Sequence, residues 1–332
     1  MNGVTAVVQA GGADSESNGQ EVELAGFARQ EGIVSFAGKM KTIVVATDLG
    51  GQSEAALEYA RKLAGGYGAR IVLAHGLDPR DYAAVDAVPG RVLRGLTEEA
   101  RAALDTLTGD LLRQGIPSHS EVRQGAVAQM LVDVARQYQA GLIVIGTAGM
   151  QGAGPVLVGA IAEQLVRLAP CPVLAVAADW NVGEFRPIPG GPVLLAMERN
   201  EATAAAVSTA HSLAETFHRT LVVLHARGPA EASAFLNPGS TTLEEFGVKP
   251  GGRFPVRCIV KDGNPADAVV EAIGQYHPSI LVVGVKRISG TPGPHGTAFA
   301  LLARSRCPVV CVPPETAPAA ALPETEKHAE TR

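Results

Sequence analysis

Two stretches of this 332-residue chain hold residue types from which chemistry could be built. The first is Thr47-Asp48, a hydroxyl and a carboxylate that close an apolar run beginning at Ile43. The second opens at Gly146-Thr147, passes Gly149 and ends at Gly159-Ala160-Ile161. Glycines let backbone N–H groups approach an oxyanion closely, and a helix starting after Gly159 would add a favourable dipole. The stretch is not a Walker loop, since no G-K-[ST] follows and no lysine occurs anywhere in 143–178. Nor is it G-x-G-x-x-G, because Gly152-Ala-Gly154 is followed by Leu157. On spacing alone, phosphate binding and ordinary glycine-rich loop structure stand level. Asp48 has two readings as well, a ligand carboxylate or a cap for the loop Leu49-Gly-Gly51.

The remaining reactive residues read as structural. His75 and His225 close equivalent apolar runs, and packing at a strand end is the favoured reading over catalysis. No Ser/His/Asp or Cys/His set is discernible along the chain. The four cysteines, at 171, 258, 307 and 311, lack paired C-x-x-C spacing and are too scattered for a disulfide scaffold. They are expected to be small buried apolar residues in a reducing compartment.

The elements that must position these residues come as an internal repeat. KTIVVATD (41–48) aligns with GPVLLAME (191–198) at an offset of 150, which also pairs His75 with His225. Further along, the offset falls to 138, and residues 124–146 face 262–284. LAPCPVLAV (168–176) then matches RSRCPVVCV (304–312). Two copies of one domain follow, residues 41–178 and 191–313, joined by a Pro/Gly linker at 179–190. Residues 1–40 match neither copy and read as a flexible extension, and 314–332 read as a disordered tail.

Within copy one, apolar runs at 43–47, 71–75, 142–146 and 172–176, with a weaker one at 120–124, alternate with helical patterns. The spacing predicts helices over 53–68 (closed by glycine), 97–114 (with Thr97 as N-cap), 126–139 and 159–169. Continuously apolar strands separated by helices argue for parallel pairing with both faces covered. The predicted fold class is α/β: two repeated, doubly wound, five-stranded parallel-sheet domains.

Composition narrows the partners. Lys+Arg 28 against Asp+Glu 33 gives a net charge of -5, so no general basic field exists to hold a nucleic acid. The longest uncharged stretch, Ala140–Ala162, contains six glycines and a proline and reads as strand, loop and helix start rather than a membrane span. The first residues lack the basic and apolar regions of a signal peptide, so a cytoplasmic protein is expected.

The pattern G-x2-G-x9-G-[ST] after the fourth strand, an aspartate ending the first and a C-P-V entry into the fifth resemble the universal stress protein family. The likeness covers both copies, as in a tandem member. It implies that Gly146, Gly149 and Gly159 cradle the phosphates of ATP or another adenine nucleotide, with or without Mg2+. Asp48 would lie on the ribose or base side with Thr47, Gly76 would touch the base through its backbone, and Thr147, Ala160 and Ile161 would complete the site. Ala160 stands where the motif has Ser or Thr, which removes a hydroxyl donor. In copy two Glu198 replaces the aspartate, Arg287 stands at the second glycine, and Pro292 and Pro294 remove backbone donors, so that copy is expected to be an empty partner. The resemblance implies a stress-response sensor or regulatory module, at most a slow ATP hydrolase. The two copies would form an intrachain pseudo-dimer through their last strands, with room for a further homodimer. The alternative is a stress protein that binds no nucleotide and acts as a dimeric interaction scaffold.

Overall fold

The computed structural model describes residues 19–24, 27–29, 36–81, 90–147, 159–178, 190–227, 248–250, 254–286, 296–305 and 307–314. Copy one contains β3 (Thr42–Ala46), α2 (Glu54–Tyr67), β4 (Arg70–Leu77), α3 (Gly90–Arg113), β5 (Ser118–Gln124), α4 (Val127–Gln137), β6 (Leu142–Thr147), α5 (Ala160–Leu168) and β7 (Val173–Ala177). Copy two contains β8 (Val193–Met197), α6 (Thr203–Thr216), β9 (Leu221–Arg227), β10 (Val248–Pro250), β11 (Val256–Asp262), α7 (Pro265–Tyr276), β12 (Ile280–Gly284), α8 (Thr297–Arg304) and β13 (Val309–Val312).

Local sequence accounts for the element ends. Gly68 closes α2 in the left-handed conformation at φ 63°, which a residue with a Cβ adopts only at a cost. Asn264 caps α7, its Oδ1 accepting from the N–H groups of Ala266 and Asp267, with Pro265 opening the helix. Thr97 is not an N-cap. The helix begins seven residues earlier at Gly90, and Thr97 donates its hydroxyl back to the Leu93 carbonyl at 2.7 Å. That bond satisfies a mid-helix threonine and removes the need for a cap there.

Both copies arrange five parallel strands in the doubly wound order, β5-β4-β3-β6-β7 and β11-β9-β8-β12-β13. Alternate strand residues point to opposite faces. Ile43, Val45, Ile71 and Leu73 therefore join an apolar layer with α2, α3 and α6, while Val44, Val72 and Ala74 join the layer of α4, α5, α7 and α8. The two sheets meet where β7 pairs antiparallel with β13, Val310 opposite Leu174, so one sheet runs through both copies. The two copies' strands consequently run in opposite senses.

Side chains cross the junction on both faces. Tyr59 donates to the Ser279 carbonyl at 3.0 Å, Tyr67 stacks edge-on against Phe217, and Arg167 lies 5.0 Å over the Phe299 ring. Gly66 on α2 is a contact point, because a Cβ there would lie 2.6 Å from the Phe217 ring.

The N-terminal extension, expected to be flexible, contributes three short elements. β1 (Gly19–Leu24) pairs antiparallel with β11 and covers that edge of the sheet, β2 (Phe27–Arg29) pairs with β10, and α1 (Phe36–Lys39) packs on α6. An unpaired edge strand is a template for wrong pairing; β1 shields β11 on the copy-two side and becomes the edge of the sheet itself. The linker 179–189, the tail beyond Pro314 and the loop 148–158 with Gly149 lie outside the described residues. No described helix is long and apolar enough to cross a membrane.

Candidate functional site

In a doubly wound sheet the crevice opens beyond the carboxyl ends of the strands, where the strand order reverses. In copy one that point lies between β3 and β6, which pair through Ile43–Leu142 and Val45–Val144. The register brings Thr47-Asp48 and Gly146-Thr147 to the same end of the sheet, with Gly76 one strand away on β4. Gly159, Ala160 and Ile161 open α5 and are all exposed, and no side chain caps that helix. Its first N–H groups are thus without helical partners, as at any helix start.

Each side chain at the crevice has a defined local role. Thr47 is buried, and its polar groups are taken up by the fold. Its N–H donates to Ala74, its carbonyl accepts from His75 Nδ1 at 2.8 Å, and its hydroxyl bonds Ser53 and the Leu49 N–H. Thr47 therefore shapes the turn. Asp48 is exposed, and its Oδ1 accepts from the Gly50 N–H at 2.9 Å, the loop-capping bond anticipated for it. Thr147 is half-buried and its hydroxyl lies 3.5 Å from the Val176 carbonyl.

The glycines divide by what surrounds them. A Cβ on Gly76 would lie 2.7 Å from Met130 Cε and 3.0 Å from Val127 Cγ2, so α4 already fills the space its missing side chain leaves. A Cβ on Gly159 would meet nothing within 4 Å, so the fold itself does not require glycine there.

His75 is buried at the end of β4, and since a carbonyl only accepts, Nδ1 carries the proton given to Thr47. His225 repeats the arrangement on Met197 at 3.2 Å. Both histidines tie the first strand of their copy to the second, the packing role read from the sequence. The four cysteines are all buried and unpaired with one another, and burial pushes each thiol up to about 12. Among the described residues no group of three or more His, Cys, Asp and Glu is placed to hold a metal ion.

The corresponding end of copy two is built differently. Glu198 after β8 forms an ion pair with Lys286 after β12, across the equivalent crevice. Thr203 donates to the Glu198 carbonyl at 2.7 Å, and Asn200 Oδ1 accepts from the Ala202 N–H at 2.8 Å. The loop sits close enough that a Cβ on Gly284 would lie 3.2 Å from Ala202 Cβ. Arg287, Pro292, Pro294 and His295 lie outside the described residues.

The description that matches this chain is the universal stress protein family, over residues 39–177 and again over 191–313. The chain is a member of that family. A universal stress protein of Mycobacterium tuberculosis is 27% identical over 271 residues, covering 76% of this chain and 88% of that protein. One from Methanocaldococcus jannaschii is 31% identical over 138 residues, covering 41% of this chain and 81% of its own. The solved universal stress protein of Archaeoglobus fulgidus superposes with a TM-score of 0.68, covering 82% of this chain and 98% of that one at 16% identity. That last likeness concerns the fold. The two matched segments make this a tandem universal stress protein, consistent with a stress-response role.

Asp78 was not singled out from the sequence. It follows β4 at the same end as Asp48, and hydrogen bonds from the Arg80 guanidinium and N–H hold its carboxyl down at about 2. The signal for it was present as Asp-Pro-Arg, a turn whose arginine folds back on the aspartate.

Proposed function

We propose that the first repeat of this universal stress protein binds an adenine nucleotide of the ATP type at the carboxyl ends of β3 and β6. The protein then serves as a stress-response sensor or regulatory module. The observation that carries this reading is the strand register, which gathers Asp48, Gly146, Thr147 and the uncapped start of α5 at the switch point. The N–H groups of Gly159, Ala160 and Ile161 would face the phosphates, and Asp48 the sugar or base side. Thr47 and Gly76 shape the crevice behind them. Mg2+, where it takes part, would be held mainly by the phosphates and water, with Asp48 as one carboxylate.

The second repeat holds no nucleotide in this reading, because Lys286 neutralises Glu198 where a ligand's charge would go. The two repeats form an intrachain pseudo-dimer, a reading supported by the β7–β13 pairing. A scaffold that binds no nucleotide remains the second reading, favoured by the engagement of Asp48 with Gly50.

Titration with a fluorescent ATP analogue and Mg2+ separates the two readings. Saturable binding at one site per chain is expected, lost in Gly159→Glu, whose Cβ would meet nothing within 4 Å. Ala160→Ser should tighten binding about fivefold, the worth of one neutral hydrogen bond of about 1 kcal/mol. No saturation at millimolar ligand would leave the scaffold reading.

A further inference from the structure

A second concave region lies at the opposite end of copy one, away from Asp48. It is a cleft of about 1110 Å3 at the starts of β3, β4 and β6, bounded on the far side by α6 and the end of β13 from copy two. Because the copies' strands run in opposite senses, the chain leaving β13 is delivered to this corner of copy one, and Pro314 lines the cleft directly. The volume lies above the roughly 300–1,000 Å3 usual for a site that encloses one small molecule. It suits a length of chain.

The protein supplies such a length at that place. Residues 315–332 continue from Pro314 and read ETAPAAALPETEKHAETR. Pro318 and Pro323, following Pro313-Pro314, favour extended polyproline geometry, which loses little entropy when it lies in a groove. Pro117, Pro170 and the Tyr138 ring line the cleft, a surface of the kind on which proline-rich chain packs. The charges are opposite in sign. Lys41 and Arg70 line the cleft, and no acidic residue is among the described residues that do. In 315–332, Glu315, Glu324, Glu326 and Glu330 outnumber Lys327 and Arg332. Lys41 is exposed, and the Arg70 head is oriented by Nε donating to Thr42 Oγ1 at 2.9 Å, which suits its outer edge to a carboxylate.

The repeat points the same way. The counterpart of β13 is β7, and residues 179–189 join the carboxyl end of β7 to the start of β8. That connection necessarily passes the corresponding corner of copy two. After β13 no further element follows among the described residues, so residues 315–332 are the only counterpart that copy one has for it. Tethering matters as well. A segment that starts at the mouth of the cleft meets it at a high effective concentration, so an attraction too weak to hold a free peptide or a second chain suffices.

We propose that residues 315–332 dock in this cleft of their own chain, with their glutamates toward Lys41 and Arg70, so that the end of the second repeat is strapped across the first. A nitroxide spin label on Ala320→Cys in the full chain tests it, since the four native thiols are buried and the label goes to the new one. Line broadening is read at the hydrogen-bonded N–H groups of Gly68 and Gly141, which line the cleft, and of Gly125 at the other end of the sheet. Strong broadening at Gly68 and Gly141 with little at Gly125 is expected. It should fall severalfold in Lys41→Glu, and equally when Glu315, Glu324, Glu326 and Glu330 are all replaced by Gln. Lys41→Arg should retain it, and raised salt should weaken it, since exposed charges are screened. Thermal melts check that each variant is folded. Broadening that both charge changes leave untouched would mean a tail merely tethered nearby, and would overturn the proposal. So would broadening that spreads evenly to Gly125. Mixing spin-labelled chains with isotope-labelled chains that lack the tag should leave the latter sharp; broadening there would make the occupant a second copy and overturn it too.

Discussion

Gly65 and Gly66 stand side by side near the end of α2, and replacing each with alanine separates helix propensity from contact between the repeats. Either exchange gains at most about 1 kcal/mol of propensity, less near a helix end. At Gly65 the new methyl meets nothing within 4 Å. Gly65→Ala should therefore stabilise by about 0.5 kcal/mol. At Gly66 the methyl would lie 2.6 Å from Cε1 and Cζ of Phe217 and 3.2 Å from Thr216 Cγ2. The half-buried Phe217 ring can swing outward, but only by giving up its edge contact with Tyr67, whose centroid is 5.9 Å away. Such a contact contributes about 0.5–1.5 kcal/mol, and crowding costs a further 1–3 kcal/mol or so. The loss exceeds the propensity gain. Gly66→Ala should destabilise by about 1–4 kcal/mol, placing the two variants on opposite sides of the parent. Urea denaturation followed by circular dichroism measures both, and Phe217→Leu added to Gly66→Ala should recover part of the loss through their coupling. Equal shifts of the same sign in the two variants would refute the packing of α2 against α6.

Three further outcomes follow from the same geometry. The buried thiols stay protonated up to about 12, whereas the unfolded chain ionises them near the ordinary 9.0, so stability should fall as pH rises above 9 in a urea series. All four should react with a thiol reagent only in denaturant. Asp78 should titrate by carbon NMR at about 2 and return toward the usual 3.8 in Arg80→Ala; its pairing contributes stability above that usual value, lost as pH falls through about 2. Gly141→Ala should cost roughly 2–3 kcal/mol by calorimetry, because its methyl would lie 2.3 Å from the Lys39 carbonyl oxygen, and backbone cannot swing aside as a side chain can.

Most of the sheet was legible because its strands are continuous apolar runs whose burial fixes them locally, and because the repeat reads each strand twice. Gly68 and the paired histidines were legible for the same reason, each being a local device at an element end. What escaped depended on distant partners. Gly19–Leu24 alternates charged and apolar residues without a strong strand signature and becomes a strand against β11, more than 200 residues away. The start of α3 was misplaced because GRVLRGL has two glycines and no cap, while its burial comes from Ala100, Leu104 and Leu111 further along. At the site, the exchange of Asp48 for Glu198 was visible, but its closure by Lys286 was not. That pair joins strands 88 residues apart and depends on the register of β8 against β12. Asp48's bond to Gly50 was legible because an aspartate two residues before a glycine N–H needs no tertiary partner.

The antiparallel seam between β7 and β13 also changes what mutation can do to this protein. When two identical chains meet about a twofold axis, every substitution appears twice, once on each side, and a gain at one end is tied to its effect at the other. A single chain carrying both halves is released from that bond. Lys41 and Arg70 face Gly191 and Thr220 as their counterparts, and Asp48 faces Glu198. The halves are also covalently joined, so their meeting does not depend on protein concentration. Dilution cannot separate them, and each half is free to acquire a ligand, or lose one, without the other following.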